Sequence, residues 1–327
     1  MGVAVCYDRV KDTSKTREIL TAQKPILSFQ AISPYIELLA YEYLWAQRHS
    51  SIKKIAEMLS RQTKLPSEIM KDIVPDLFGS FDSKKDVIKE YIDNKIKTTP
   101  VFSMLLKESP QFPDKLLDAK YPINLFYYRG NPDLANTKCI SVVGTRKASN
   151  DGYKRTVKLV QLLSDYEITM VSGLAEGIDT VAMETAIRCH MNVVGVIGTP
   201  IDEYYPRQNE NLQEEIACNH LLISQVPFYK YHIQPFQTRR FYFPERDVTM
   251  AALSIATVIV EASDTSGTLF QARACMEQKR TLFILNSCFE NPSIKWPHKY
   301  EKQGAIRVKD INDIITHLNL SHKRLNV

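Results

Sequence analysis

The sequence predicts an α/β protein: a Rossmann-like, mostly parallel sheet with helices on both faces, preceded by a small all-α N-terminal domain. Between residues 33 and 97, apolar side chains recur every three or four positions, which is typical of short amphipathic helices. After Lys138, short apolar runs alternate with amphipathic segments, which indicates successive β-α-β units. These runs are unbroken rather than alternating, so both faces of the strands are expected to be covered.

The helical pattern and the prolines that follow it predict two domains. Residues 1–110 are expected to form the helical domain, with a mobile start over about the first 30 residues. Four prolines between residues 98 and 122 disfavour helix and place the domain junction there. Residues 111–327 are expected to form the Rossmann-like domain, without a C-terminal winged helix.

Six apolar runs are predicted to be the strands of the sheet. They are CISVV (139–143), ITMVS (168–172), NVVGVI (192–197), LLIS (221–224), TVIVEA (257–262) and TLFIL (281–285). Ligands of open parallel sheets bind at the carboxyl ends of the strands, near the point where the strand order reverses. The loops after these runs are therefore expected to hold the binding residues.

Composition excludes several classes of protein. The chain has 327 residues, 44% hydrophobic and 24% charged, which excludes a largely disordered or collagen-like protein. No apolar stretch reaches the roughly 18 residues of a spanning helix, and the charged N-terminus argues against a signal peptide. The six cysteines show no zinc-ligand spacing. We therefore expect a cytoplasmic protein with no membrane partner, no metal and no cofactor. Its net charge of +5 permits a polyanionic partner without requiring one.

The loops after the first two predicted strands combine glycines with groups that suit an anion. A glycine at the end of a strand permits a sharp turn, and in the first loop two cations follow that glycine. The backbone N–H groups of the second loop can together surround an anion. The candidate phosphate-binding residues are Gly144, Arg146, Lys147, Ser172, Gly173 and Gly177. A tight turn with solvated charges also explains the first loop, and helix capping by Asp179 is the alternative role in the second.

Two later segments add candidates. Residues 239–246 interleave arginines with aromatics, which suits phosphate contacts and base stacking; alternatively the aromatics are core and the arginines pair with Glu245 and Asp247. Residues 263–268 place hydroxyls and a glycine at a helix start, which suits a phosphate or ordinary capping. The candidates here are Arg240, Phe243, Arg246, Ser266, Gly267 and Thr268. In loop 198–209, two tyrosines beside a basic residue either stack on bases or pack over the sheet edge.

Taken in order, these segments resemble the DprA/Smf family of bacterial DNA-processing proteins. The resemblance runs from about Phe112 to Val308. It rests on ISVVGTRKAS, VSGLAEGID, VIGTPIDEYYPRQN, FYFPERDVTMAALS and VIVEASDTSGTLFQARACMEQKR. It implies a non-enzymatic, Rossmann-like homodimer that binds single-stranded DNA and loads a RecA-type recombinase during DNA uptake and recombination.

The resemblance also implies site residues by motif position. It places Arg146, Gly173, Arg246 and Ser266 in the DNA pocket, and the neighbouring cations and Phe243 are added on chemical grounds. The sequence departs from the family pattern at three positions. Met183 stands where the family has histidine, and Asp247 and Val248 replace an amide and a cation in the family's F-P-x-R-N-R segment. Asp247 is expected to repel phosphate unless Arg246 or Arg240 neutralises it.

Two other functions on the same scaffold remain open. A nucleotide N-glycosidase would need a carboxylic acid where Gln271 stands, and an amide cannot exchange protons at neutral pH. A nucleotide sensor, for example in a defence system, would hold a small nucleotide in the same pocket while the N-terminal helices pass the signal to a partner. The leading hypothesis is the non-enzymatic binder of single-stranded DNA.

Overall fold

The computed structural model describes residues 32–61, 64–73 and 83–323, and the predicted mobile start lies outside them. The strands are β1 (Ser103–Leu106), β2 (Leu125–Gly130), β3 (Cys139–Val143), β4 (Thr169–Ser172), β5 (Asn192–Ile197), β6 (Leu221–Ser224), β7 (Ala256–Ile259), β8 (Thr281–Leu285) and β9 (Ile306–Val308). The first seven helices are α1 (Pro34–Ala46), α2 (Ile52–Arg61), α3 (Pro66–Ile73), α4 (Ser83–Thr98), α5 (Asn150–Leu163), α6 (Ile178–Arg188) and α7 (Glu210–Asn219). The others are α8 (Phe228–Ile233), α9 (Phe236–Arg239), α10 (Tyr242–Leu253), α11 (Thr268–Glu277), α12 (Asn286–Phe289), α13 (Trp296–Glu301) and α14 (Asn312–Leu318).

All these strands belong to one nine-stranded sheet in the order β1-β2-β6-β5-β4-β3-β7-β8-β9. The strands from β3 to β9 are parallel, and β2 and β1 extend the β6 edge in antiparallel fashion. The chain builds outward from β3, first through β4 to β6 and then through β7 to β9 on the other side. The strand order therefore reverses between β3 and β7, and this switch point is where ligands of such sheets bind.

The predicted Rossmann-like sheet is confirmed, and β3, β5, β6 and β8 have the predicted bounds. The strand β4 begins one residue later than predicted, and β7 spans 256–259 rather than 257–262. Three strands were missed, namely β1, β2 and β9. The strand β1 lies inside the proline-rich stretch taken as a junction, and β9 is only three residues long.

Alternate residues of each central strand face opposite sides of the sheet, and both sides are apolar. In β3, Ile140 and Val142 join one hydrophobic cluster, whereas Cys139 and Val143 join the other. Helices α5 and α6 pack against each other, and so do α10 and α11. This double burial explains the unbroken apolar runs, because neither face of the sheet meets water.

The predicted N-terminal helical region is confirmed as α1 to α4. These helices share a hydrophobic cluster with Tyr127 of β2 and Phe228 of α8. The fully buried Glu42 of α1 accepts hydrogen bonds from Tyr127 Oη at 2.6 Å and from the amides of Phe228 and Tyr229 at 2.9 Å. The helical segment is thus packed against the sheet, and a domain boundary near residue 110 stays a prediction. Among the described residues, no helix has the length and apolar character needed to cross a bilayer.

Candidate nucleic-acid interface

A cleft of about 750 Å³ opens at the switch point between β3 and β7. The loops after β3, β4 and β7 form its floor and one wall, and α10 forms the other wall. Nine predicted binding residues line it: Gly144, Arg146, Lys147, Arg240, Phe243, Arg246, Ser266, Gly267 and Thr268. Residues far apart in the sequence therefore meet in one cavity, at the edge of the sheet where they were expected.

Three exposed cations stand around this cleft: Arg146, Lys147 and Arg240. Within the described residues, none of these side chains has a carboxylate within 4.0 Å. Each cation is therefore available to an external anion, and guanidinium groups bind phosphate oxygens in bidentate fashion.

Aromatic rings lie beside these cations. Phe243 packs over Gly198, where an added Cβ would come within 2.7 Å of the ring. The guanidinium of Arg146 lies 5.7 Å from the centre of the Phe243 ring, and the Tyr205 ring lies 5.1 Å from it. Tyr205 is 47% exposed, so the tyrosine of loop 198–209 both packs over the sheet edge and presents a face to the cleft. Phe270, a half-exposed cleft residue on the first turn of α11, was not predicted.

Arg246 lines the cleft but turns its guanidinium into the protein. The residue is only 5% exposed. Its Nη1 donates to the carbonyl oxygens of Gly173 and Val196, the latter at 3.1 Å, and its Nε lies 3.1 Å from Asp247 Oδ1. This geometry ties α10 to the ends of β4 and β5. The principal contacts of Arg246 are therefore with the protein's own backbone.

Asp247 places a carboxylate in the wall of the cleft. Its side chain is 15% exposed, and burial raises its pKa from 3.8 to about 7, although Arg246 and Arg146 oppose this shift. The expectation that Arg246 pairs with Asp247 is met by the 3.1 Å contact. Arg240, the other expected partner, does not reach Asp247 within 4.0 Å in the described structure.

The loop after β4 forms a nest of donors, but the protein's own carboxylate occupies it. The buried Asp179 accepts a hydrogen bond from the amide of Gly173 at 3.0 Å, and burial raises the pKa of Asp179 while Arg246 opposes that rise. The hydroxyl of Ser172 donates to the carbonyl of Val142 at 2.8 Å. Gly177 adopts φ +83°, and a Cβ there would come within 2.5 Å of the Thr145 carbonyl. Ser172 and Gly177 thus hold the loops together and do not line the cleft, and Gly173 lines only a smaller adjoining pocket.

At the helix starts beside the cleft, some backbone amides are already hydrogen-bonded to the protein's own side chains. At α5, Glu261 accepts hydrogen bonds from the amide of Ser149 at 2.9 Å and from its hydroxyl at 2.6 Å. At α11, Ser266 Oγ accepts the amide of Thr268 at 3.2 Å. The sequence suggested anion binding or capping at these helix starts. The structure shows side-chain capping at α5, where Ser149 Oγ accepts the amide of Gly152 at 2.9 Å. At α11 the N-cap residue is Gly267, which makes no side-chain cap hydrogen bond.

Gln271 stands where a glycosidase acid would be needed. The residue is 1% exposed, and its amide is hydrogen-bonded to Thr257 Oγ1 at 3.1 Å. It therefore joins α11 to β7 and offers no exchangeable proton to the cleft. Among the described residues, no group of three or more His, Cys, Asp or Glu side chains is placed to hold a metal ion.

Known proteins resemble this chain in both sequence and structure. The family model of DNA recombination-mediator protein A matches residues 103–319. The chain belongs to the DprA/Smf family. It is 34% identical to DNA processing protein DprA of Streptococcus pneumoniae over 221 residues, which cover 64% of this chain and 76% of that protein. It is 31% identical to Protein Smf of Synechocystis over 213 residues, which cover 64% of this chain and 51% of that protein.

Two solved DprA structures superpose on this chain. The X-ray structure of S. pneumoniae DprA gives a TM-score of 0.68 at 26% identity and covers 87% of this chain and 98% of that one. A structure of Helicobacter pylori DprA, described for its single-stranded DNA binding mode, gives a TM-score of 0.56 at 27% identity and covers 67% of this chain and 95% of that one. The predicted family and fold are both confirmed.

Departures from the DprA/Smf pattern now have local explanations. Met183 is fully buried in α6 within a hydrophobic cluster, so it contributes packing and does not reach the cleft. Val248 packs against the cluster on the opposite face of the sheet. Asp247 is the departure that changes the cleft itself, because it places an acid in the cleft wall.

Proposed function

We propose that the protein binds single-stranded DNA in the cleft at the switch point of its sheet, without cutting or otherwise altering it. The observation that carries this proposal is a set of three exposed cations beside the aromatic side chain of Phe243: Arg146, Lys147 and Arg240. In the part of the chain that the structure describes, none of them has a carboxylate within 4.0 Å. Cations follow the phosphate backbone, while aromatic faces stack on unpaired bases whatever their sequence.

The role we propose in the cell follows from the family. A DprA/Smf protein with such a cleft would protect single strands and deliver them to a RecA-type recombinase, as a cytoplasmic homodimer acting in DNA uptake and recombination. The matching family model, which is described as a DNA recombination-mediator, supports this proposal. The H. pylori relative with a described single-stranded DNA binding mode supports the choice of ligand.

A titration with fluorescently labelled oligonucleotides tests the proposal. Single-stranded and duplex DNA of equal length are titrated with the wild-type protein at low and high salt, with fluorescence anisotropy as the readout. We expect tighter binding to the single strand and weaker binding at high salt. Arg146→Ala should lower affinity by about 1 to 3 kcal/mol, the scale of a hydrogen bond to a charged group. The control Lys71→Ala, an exposed cation of α3 away from the cleft, should not change affinity. An affinity for single-stranded DNA that changes neither with salt nor with Arg146→Ala would refute the proposal.

The cleft volume of about 750 Å³ also suits a single nucleotide, which keeps the sensor as a second candidate. A mononucleotide that binds tightly and that an oligonucleotide cannot displace would favour the sensor. Release of free base from a nucleoside monophosphate by the purified protein would establish a glycosidase. We expect no base release, because the buried Gln271 amide occupies the position of the acid.

A further inference from the structure

The cleft is the middle one of three cavities along the carboxyl edge of the sheet. On one side lies a side pocket of about 120 Å³ beside the loops after β4 and β5, and Arg146 and Phe243 line both it and the cleft. On the other side lies a second cavity of about 310 Å³ beside the loops after β7 and β8. Thr145, Lys147 and Ser263 line both this second cavity and the cleft. The three cavities are therefore neighbours along the strand ends.

The second cavity has a polar lining with unused hydrogen-bonding groups. Arg155 and Lys147 place cations in it, and Asn291 is exposed at its rim. Glu261 also lines it, but its carboxylate already accepts hydrogen bonds from Ser149 and, at 3.2 Å, from Arg155. Within the described residues, the enclosed Arg155 Nε and Ser287 Oγ have no hydrogen-bond partner. Enclosed polar atoms of this kind are costly unless a ligand or water satisfies them.

We infer that the second cavity is a further nucleotide subsite, which takes the part of a DNA strand that leaves the cleft over Lys147. This inference rests on the proposed function, since the cleft must hold the strand first. The strand would cross the ends of β5, β4, β3, β7 and β8 in turn. Four interstrand spacings of about 4.8 Å make a track of about 19 Å. At a rise of about 3.4 Å per stacked nucleotide, the track holds about six nucleotides, and fewer if the strand is extended.

Asn291→Asp is the variant that tests the subsite. Asn291 Oδ1 accepts the amide of Ser293 at 3.0 Å, and a carboxylate oxygen can accept the same bond, so the loop is preserved. The new negative charge should repel a phosphate in the second cavity. The matched control is Asn131→Asp, an exposed position near the opposite, amino edge of the sheet, where Asn131 Oδ1 accepts the amide of Asp133 at 3.0 Å. Anisotropy is measured with oligothymidylates of about three and about eight nucleotides, chosen to be shorter and longer than the track.

We expect Asn291→Asp to weaken binding of the longer oligonucleotide about fivefold, the effect of one like charge at about 4 Å in water. The shorter oligonucleotide, held in the cleft alone, should bind as it does to the wild type, and Asn131→Asp should change the binding of neither oligonucleotide. An equal effect of Asn291→Asp on both lengths, or none on either, overturns the subsite. If Arg146→Ala still weakens both lengths, the proposed function survives that result. If Arg146→Ala also has no effect, the proposed function itself fails.

A free nucleotide could supply the same phosphate and base as the strand. Thymidine monophosphate is therefore titrated as a separate arm. Suppose that Asn291→Asp weakens binding of the monophosphate but leaves binding of the longer oligonucleotide unchanged. This result would assign the second cavity to a free nucleotide and overturn the strand path.

Discussion

Gly173→Ala should destabilise the protein strongly, because there is no room for a methyl group between β4 and Arg246. A Cβ at residue 173 would lie 1.5 Å from Arg246 Nη1 and 2.3 Å from its Cζ. The guanidinium cannot move cheaply, since it is buried and donates to the carbonyls of Gly173 and Val196 while contacting Asp247. Displacing it leaves a buried charge without its partners, which costs about 3 to 5 kcal/mol.

The expected shift is measurable by thermal unfolding. For a chain of this size, each kcal/mol lost from the free energy of unfolding lowers the Tm by about 2 °C. The Tm of Gly173→Ala should therefore fall by about 6 to 10 °C. The matched control is Gly267→Ala, in the same cleft, where an added Cβ meets nothing within 4 Å and the backbone has φ −57°. That substitution should leave the Tm unchanged or raise it slightly. If the two variants have the same Tm, the conclusion that the buried Arg246 links α10 to the ends of β4 and β5 is wrong.

Three other predictions follow from the charges described above. Burial raises the pKa of Asp247 to about 7 in the folded protein, from 3.8, so its stabilising contribution is full at acid pH and is lost as the pH rises through 7. The Tm of Asp247→Asn, relative to wild type, should therefore rise between pH 5 and pH 8 in thermal scans; a difference that does not change with pH would contradict this. Glu42→Gln should lower the free energy of unfolding in urea by about 1 to 3 kcal/mol, because the amide of glutamine cannot accept all three hydrogen bonds that the Glu42 carboxylate accepts. The control is Glu90→Gln at an exposed position. Lys147→Ala should reduce the slope of log affinity against log salt by about 0.7 for single-stranded DNA, and an unchanged slope would mean that Lys147 contacts no phosphate.

Most of the sheet could be predicted because its central strands are covered on both faces. Short continuous apolar runs such as that of β3, repeated between amphipathic segments, are typical of strands covered on both faces, so they mark the strands and the loops after them. The antiparallel edge formed by β1 and β2 could not be predicted in the same way. The strand β1 is four residues long in a proline-rich stretch, and its pairing with β2 depends on contacts that no local pattern contains.

The site could be predicted in its location and composition but not in the direction that each side chain faces. Residue type alone does not distinguish Arg146, in the loop after β3, from Arg246, in α10. In the structure, Arg146 is exposed beside an aromatic ring, whereas Arg246 is buried against backbone carbonyls. The deciding information is the position of Gly173, which leaves room for one guanidinium and no methyl group. That relation joins residues 73 positions apart in the chain.

The carboxylates that occupy two loop amides support the proposed single-stranded DNA, rather than a small nucleotide, as the ligand. A mononucleotide in a Rossmann-like site is held by backbone amides that fix one phosphate at a helix start. Here the amide of Gly173 already donates a hydrogen bond to Asp179, and the amide of Ser149 donates one to Glu261. A phosphate at either amide would have to displace the carboxylate that is bound there. Among the described residues, the cations of the cleft without a carboxylate partner are long, exposed side chains: Arg146, Lys147 and Arg240. Flexible cations hold a backbone at many registers and gain affinity from several phosphates at once, which suits a strand bound without regard to sequence.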